Sequence, residues 1–421
     1  KDMSVLAPEV ILASDITFAR YGRVEGLLAI AEKQGKVSLD GAGLAVARAA
    51  QHARKPFEFR YESVEYTDGA AGDEGGIGIL RSGPIRDQSM LVMKYTAQGF
   101  GHGHFDKLGF LFYDQGNEII QDYGSARFVN VEQKYGGRYL PENDSWAKQT
   151  VAHNTVTVDG RSHYGGVYKV AQQNHADRHF FSTSDPDIQV MSAKANGVYQ
   201  GVSMQRTMAM VRDTAMPKPI IIDVFRIDSK QEHQYDLPIY YMGQFIHTNV
   251  PYRAYDSIRT RIGDANGYQH LWKEAEGKAD GAVSFTWLAG KRYYSMTSAA
   301  DSSTRVIFTR IGARDPNFNL RGDQGMMLRR SAASTVFATV IEPHGTFEPV
   351  NEISFGATGR VNDVRVLAST GEGTIVEISG KDSLHWIFAV TNKEASNESQ
   401  HSISVSGKTY SWKGNYKIWK N

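Results

Sequence analysis

GFGHGHFDKLGFLFYDQGNEIIQDYGSARF, residues 99–128, and TVAHNTVTVDG, residues 150–160, decide how this 421-residue chain is read. Short runs such as FLFYD, NEII and TVTV alternate apolar with polar or aromatic residues and stop at Gly or Asp-Gly turn signals, which is the texture of antiparallel strands. Set into that texture are His102, His104, Asp122 and His153, and between the two stretches lies the Gly-rich KYGGRYLPEND (134–144) with Tyr139. Chemistry is expected here.

The same strand texture extends outward. FEFRYESVEY, SMLVMKYTA, RHFFSTSD, SMQRTMAMVR, PIIIDVFRID, AVSFTWLAG, TRVIFTRIG and STVFATVIEP follow one another with turns between them, and beyond Pro349 shorter runs continue the pattern. With 11% aromatic residues and no alternation of strand and helix, this predicts a mainly β chain of stacked antiparallel sheets. Only Asp15 to about Arg54 differs: Ile16, Ala19, Val24, Leu27, Leu28 and Ala31, then Leu44, Ala45, Ala47, Ala50 and Ala53, fall near a 3.6-residue period. A helix pair is predicted, with Asp15 as the first N-cap and Gly35 as a terminator. Two helices bury too little to stand alone and are expected to dock on something larger.

Composition narrows the function classes. Lys plus Arg (47) balance Asp plus Glu (46), so no global field favours nucleic acid or an anionic membrane. Absence of cysteine removes disulfides and thiolate metal sites and leaves His and carboxylate as ligands. No apolar run reaches the roughly 20 residues of a membrane-spanning helix. Because the chain begins at Lys1, it is expected to be processed or a piece of something longer.

His102 and His104 are two apart, so on extended backbone they project to one side, and Gly101 and Gly103 leave room for close approach. Asp122 is read as closing the next strand and His153 as opening another. Two imidazoles and a carboxylate suit Zn²⁺ with a water in the fourth position, and they suit a metal-free His–Asp hydrogen-bonded network equally well. Tyr139 has Arg127, Lys134 and Arg138 near it in sequence; cationic neighbours favour phenolate and a general-base role, while packing of its ring over Pro141 is the plainer reading. Glu352 can reach a cleft or sit in an exposed turn.

GHGHFDKLGFLFYDQGNEIIQDYG followed by AHNTVTVDG resembles the heparinase II/III-like signature of polysaccharide lyases, a GHxHxD string, a downstream D-x-G and an HNT strand. The likeness, including KYGGRYLPEND, is greatest to the exolytic oligoalginate lyases of polysaccharide lyase family 17. It implies residues 1–58 as the last helices of an α/α toroid, 59–348 as a central antiparallel β-sandwich and 349–421 as a small C-terminal β domain. It further implies His104, Asp122 and His153 as ligands of a structural zinc, Tyr139 and His102 as catalytic, and Arg127 as facing the substrate; Arg138 beside Tyr139 and Glu352 are expected to join it as substrate-binding residues. The toroid's own contribution, an Asn–His pair and a further Tyr, has no counterpart in this sequence. Expected partners are an acidic polysaccharide or oligouronate, the toroid part of the same enzyme and, as one assembly, a homodimer; the expected location is periplasmic or secreted.

The reaction so implied is β-elimination, loss of the uronate C5 proton and expulsion of the C4 oxygen. Two rivals remain: a heparin-, heparan- or chondroitin-type lyase of the same superfamily, or a non-catalytic carbohydrate-binding β domain presenting Trp146, Tyr164, Tyr168, Tyr240 and Tyr241 to sugars. A sulfated substrate calls for more basic residues than a net charge of +1 offers.

Overall fold

The computed structural model describes residues 7–22, 24–52, 61–99, 101–124, 126 and 140–420. Two compact units divide the chain, Lys1–Glu62 and Ser63–Asn421.

The first unit holds three helices, Pro8–Tyr21, Glu25–Gln34 and Gly41–His52, where the periodicity had predicted two. Gly35 ends the second in the left-handed conformation, its N–H donating to Ala31, as expected. Asp15 does not cap the first helix. It sits in that helix's interior, buried, and accepts a 2.6 Å hydrogen bond from the Ser38 N–H. Asp40 caps the third helix through the Gly43 N–H at 2.8 Å.

The second unit is built from antiparallel sheets, as the strand texture predicts. Five strands from Val64–Thr67 to Asn117–Ile120 form a simple meander. Next comes an eight-stranded sheet in which Ile220–Ser229 lies between Thr335–His344 and Val202–Val211. A further sheet pairs Gln324–Ala332 with His233–Ile239, whose other edge takes the two-residue strand Thr157–Val158. Val361–Ser369, Gly373–Gly380, His385–Thr391 and Tyr416–Lys420 make the C-terminal sheet, and Gln400–Val405 with Lys408–Lys413 a separate hairpin.

The eight-stranded sheet is buried on both faces, which explains the near-continuous apolar run IIIDVFRI. Ile221, Phe225, Met208, Met210 and Phe337 point into one core with Phe110 and Phe112 of the meander and Leu237 and Leu328 of the neighbouring sheet. Ile220, Ile222, Val224, Ala338 and Val340 point the other way, against Val376, Trp386, Phe388 and Ile418 of the C-terminal sheet. The outer face of the His233–Ile239 sheet is covered by residues 140–152, whose Trp146 meets Tyr240, Tyr268, Leu271 and Met327.

Trp146, Tyr240 and Tyr241 are 0%, 1% and 3% exposed, so these three aromatics are core and offer no sugar platform. Phe388→Ala is expected to lower the unfolding free energy by about 3–5 kcal/mol, whereas Phe318→Ala, at a 72% exposed position, is expected to change it by less than about 0.5 kcal/mol; urea titration measures both.

Candidate functional site

Three segments of the second unit converge on one cluster. The loop 101–109 leads into Phe110–Asp114, residues 121–122 follow Asn117–Ile120, and His153 follows the short turn Thr150–Ala152. His104, Asp106 and His153 each offer one ligand atom, and these atoms lie within 4.8 Å of one another. The two imidazole rings stand 5.1 Å apart at 47°. The Nδ1 of His153 is hydrogen-bonded to Asp122, and Lys94 Nζ donates to Asp106 Oδ2 at 2.7 Å. Among the described residues, His153 Nε2 and Asp106 Oδ1 are buried polar atoms with no hydrogen-bond partner.

Electrostatics sort the cluster by charge. Burial, followed by the neighbouring His153, pushes His104 down to about 4, so it is neutral at pH 7. For Asp106 burial acts upward but is outweighed by Lys94, His153 and His104, and its carboxyl is held well below the usual range. Burial likewise opposes charge on Asp122 and His153, yet each is outweighed by the other: the carboxyl is lowered and the imidazole raised. The result is one neutral imidazole, two carboxylates and one imidazole poised by its acid partner.

The HNT string explains how the loops stay in place. Asn154 Nδ2 donates to the Phe110 carbonyl at 2.9 Å and the Gln121 carbonyl at 2.7 Å, while its Oδ1 accepts from the Tyr240 N–H at 2.9 Å. Thr155 Oγ1 holds the Lys107 carbonyl at 2.7 Å, and Thr150 Oγ1 holds that of Phe105 at 2.6 Å. His163 Nδ1 accepts the Lys107 N–H at 3.2 Å. Beneath them, Arg206 of Val202–Val211 is wholly buried, paired bidentately with Asp223 (2.9 and 2.6 Å), and donates through Nη1 to the carbonyls of Leu108 (2.8 Å) and Asn154 (2.5 Å). One guanidinium thus grips both the 101–109 loop and the segment of His153, with the rings of Phe110 and Phe225 at 4.5 and 4.7 Å.

Of the residues singled out in the sequence, His104, Asp122 and His153 are brought together. His102 is exposed in a turn, not on extended strand beside His104. Asp122 lies two residues past its strand and His153 precedes a strand of only two residues. Glu352 is exposed, with φ 54°, in the turn between Thr346–Glu348 and Ile353–Phe355. Arg127, Arg138 and Tyr139 lie outside the described residues. The sequence reading passed over Asp106, although it is the last residue of GHGHFD, and over Lys94, Arg206 and Asp223, whose roles depend on contacts 12 to 98 residues away in sequence.

Several known proteins resemble this chain. The family model for the heparinase II/III-like C-terminal region matches residues 65–339. An exo-oligoalginate lyase of Saccharophagus degradans is 37% identical over 98% of this chain and 56% of its own length. An alginate lyase of Stenotrophomonas maltophilia is 38% identical over 99% of this chain and 55% of its own. The chain therefore spans about half the length of these curated relatives. Among solved structures, the heparan sulfate lyase HepC of Pedobacter heparinus superposes with a TM-score of 0.56 at 13% identity, over 93% of this chain and 49% of its own. A heparinase III does so with 0.54 at 13%, over 100% and 49%. At that identity the likeness is one of fold.

Arg206→Met is expected to lower the unfolding free energy by about 3–5 kcal/mol, because Asp223 is left as an unpaired buried charge. Arg206→Met with Asp223→Leu is expected to recover part of that loss in the same urea titration, since both charges are then gone. The pH dependence follows from His163, which burial pushes down to about 3, against about 6.5 when unfolded. An imidazole lowered in the folded state costs stability once the unfolded chain binds the extra proton. Stability is therefore full above about pH 6.5 and falls as pH drops toward 3; a His163→Gln chain is expected to show a shallower fall of melting temperature between pH 7 and 4.5.

Proposed function

Because the chain belongs to the heparinase II/III-like family, we propose that it is the β half of a polysaccharide lyase that cleaves alginate-type polyuronates, mannuronate-containing ones included, by β-elimination. The observation that carries this reading is the cluster of His104, Asp106, Asp122 and His153, two of them buried and two half-buried, which lies within the segment matched by the family model. Relatives named for alginate and oligoalginate, at 37–38% identity along nearly all of this chain, support the substrate class and an exolytic mode. Their greater length supports a further part of the enzyme as the partner of this half, and their bacterial sources fit work in the periplasm or outside the cell.

The residues fit a zinc ion. Two imidazoles and one carboxylate, those of His104, His153 and Asp106, form a nitrogen and oxygen donor set, His104 is neutral at pH 7, and His153 Nε2 and Asp106 Oδ1 are buried without a partner among the described residues. In this reading His104, Asp106 and His153 would hold the ion, while Asp122, expected from the sequence as the carboxylate ligand, is hydrogen-bonded to His153 Nδ1 and would orient that ring. A bound dication supplies a fixed charge that braces the loops.

The protein's own groups carry the elimination. The uronate C5 proton is not acidic until the adjacent carboxylate is neutralised, so donors must face the charge that develops there. Arg127 and Arg138 are assigned to that carboxylate, Arg127 bidentately. Tyr139 takes the C5 proton or returns one to the leaving C4 oxygen, with His102 assigned to tune it and Glu352 assigned to the substrate. Its rank as acid or base depends on groups supplied by the other half.

The test is incubation of the intact enzyme with poly-mannuronate while absorbance is followed near 235 nm, where unsaturated ends absorb. A rise is expected, and Tyr139→Phe is expected to abolish it while oligosaccharide binding persists; a variant as active as the parent overturns the role. Independently, His104→Ala is expected to lower zinc content by elemental analysis together with melting temperature, because a structural ion is part of the folding energy. Zinc content equal to the parent's removes the ion from this cluster.

A further inference from the structure

The C-terminal sheet turns one face to the eight-stranded sheet. Its other face and the hairpin Gln400–Val405/Lys408–Lys413 enclose a small core of Ile375, Ile387, Ala389, Ile403 and Trp412. At the edge of that core opens a cavity of about 390 Å³, lined by His385, Ile387, Lys408, Thr409, Tyr410, Ser411 and Trp419. This is within the range of small-ligand sites, roughly 300–1,000 Å³.

The lining is that of a sugar site. Trp419 and Tyr410 are half-buried, their rings 5.9 Å apart and inclined at 59°, so two aromatic faces meet in a corner. An aromatic face takes the C–H side of a pyranose ring and leaves the ring's hydroxyls to polar neighbours. Thr409 and Ser411 pair with Ser404 and Ser402 on the opposite face of the hairpin from Tyr410, so the polar side chains beside the aromatic corner are His385 and Lys408.

The charge around it has one sign. From Ser399 to the end of the chain there are four lysines, Lys408, Lys413, Lys417 and Lys420, and no Asp or Glu. Lys413 pairs with Glu398 and Lys420 with Asp213, which leaves Lys408 and Lys417 without an ion pair among the described residues. Lys408 lies 5.0 Å from the Tyr410 ring centroid, directly at the cavity. Lys417 is exposed and, two residues before Trp419 on one strand, shares its face. The Glu377 carboxylate pairs with Arg365 at 3.0 Å, which also pairs with Asp363 at 3.0 Å, and is hydrogen-bonded to His385 Nε2 at 2.9 Å.

We propose that this pocket is a second carbohydrate site that binds an acidic oligouronate, its ring against Trp419 and Tyr410 and its carboxylate toward Lys408 and Lys417. The choice of an acidic sugar rests on the polyuronate reading above as well as on the lysines. Such a site would keep polymer attached to the enzyme between cleavages.

Native gel electrophoresis of the full chain through poly-mannuronate, with dextran as the neutral control, tests it. Retardation by poly-mannuronate and not by dextran is expected, with Trp419→Ala and Lys408→Glu each weakening the apparent Kd about tenfold, equivalent to about 1.4 kcal/mol. Lys408 is exposed, so its variant keeps the fold where loss of the indole disturbs the core. Both variants retarded like the parent, a parent that ignores poly-mannuronate, or equal retardation by dextran overturns the proposal. The 235 nm assay on the intact enzyme reports on the lyase reading separately: binding that falls in the variants while the intact enzyme gives no unsaturated product keeps the pocket and removes the lyase.

Discussion

The candidate site depends on a buried ion pair that never touches it as a ligand. Arg206 and Asp223 sit on the inward face of the eight-stranded sheet, among methionines and phenylalanines, where an isolated charge is costly. The pair is tolerable because four of the guanidinium's five N–H groups are used, two on the carboxylate and two on the carbonyls of Leu108 and Asn154. Those carbonyls belong to the loops that carry Asp106 and His153. The sheet thereby fixes the distance between ligand-bearing loops that are 45 or more residues apart, and does so with fork geometry that a lysine could not reproduce.

Around that anchor the cluster combines groups whose environments push them in opposite directions. His104 is driven neutral by burial, Asp106 is kept ionised by Lys94, and Asp122 poises His153. A metal-free network of this kind satisfies its polar atoms completely as a rule. Here His153 Nε2 and one oxygen of Asp106 are unsatisfied among the described residues, which is why the cluster is read as a ligand set and not as a self-contained hydrogen-bonded network.

Much of this was legible in the sequence because it is periodic or local. The alternation in SMQRTMAMVR and the apolar run of PIIIDVFRID gave away strands, and Gly35 announced a helix end. What failed were readings that needed a partner far along the chain. Asp15 has the residue type of a cap, but burial and the Ser38 N–H put it inside a helix. Trp146 and Tyr240 are aromatic in sequence and core in space because residues 140–152 cover the outer face of a sheet, and Tyr241 is core on its other side, against Phe285 and Trp287. His102 and His104 diverge because the glycines around them make a turn, where spacing by two no longer means a shared face. Asp106 needed Lys94 at the end of another strand to make sense as a charge inside the protein.

The double-sided burial of the eight-stranded sheet also bears on how such a chain is put together. Phe388, Trp386 and Ile418 are half of a single apolar layer whose other half is Ile220, Ile222 and Val340. Neither piece can be exported to another protein without exposing a sticky sheet face. The C-terminal sheet is consequently not an interchangeable attachment of the kind strung on flexible linkers; it is a wall of the same building, and whatever polymer it holds is held at a fixed bearing from the loops of His104 and His153.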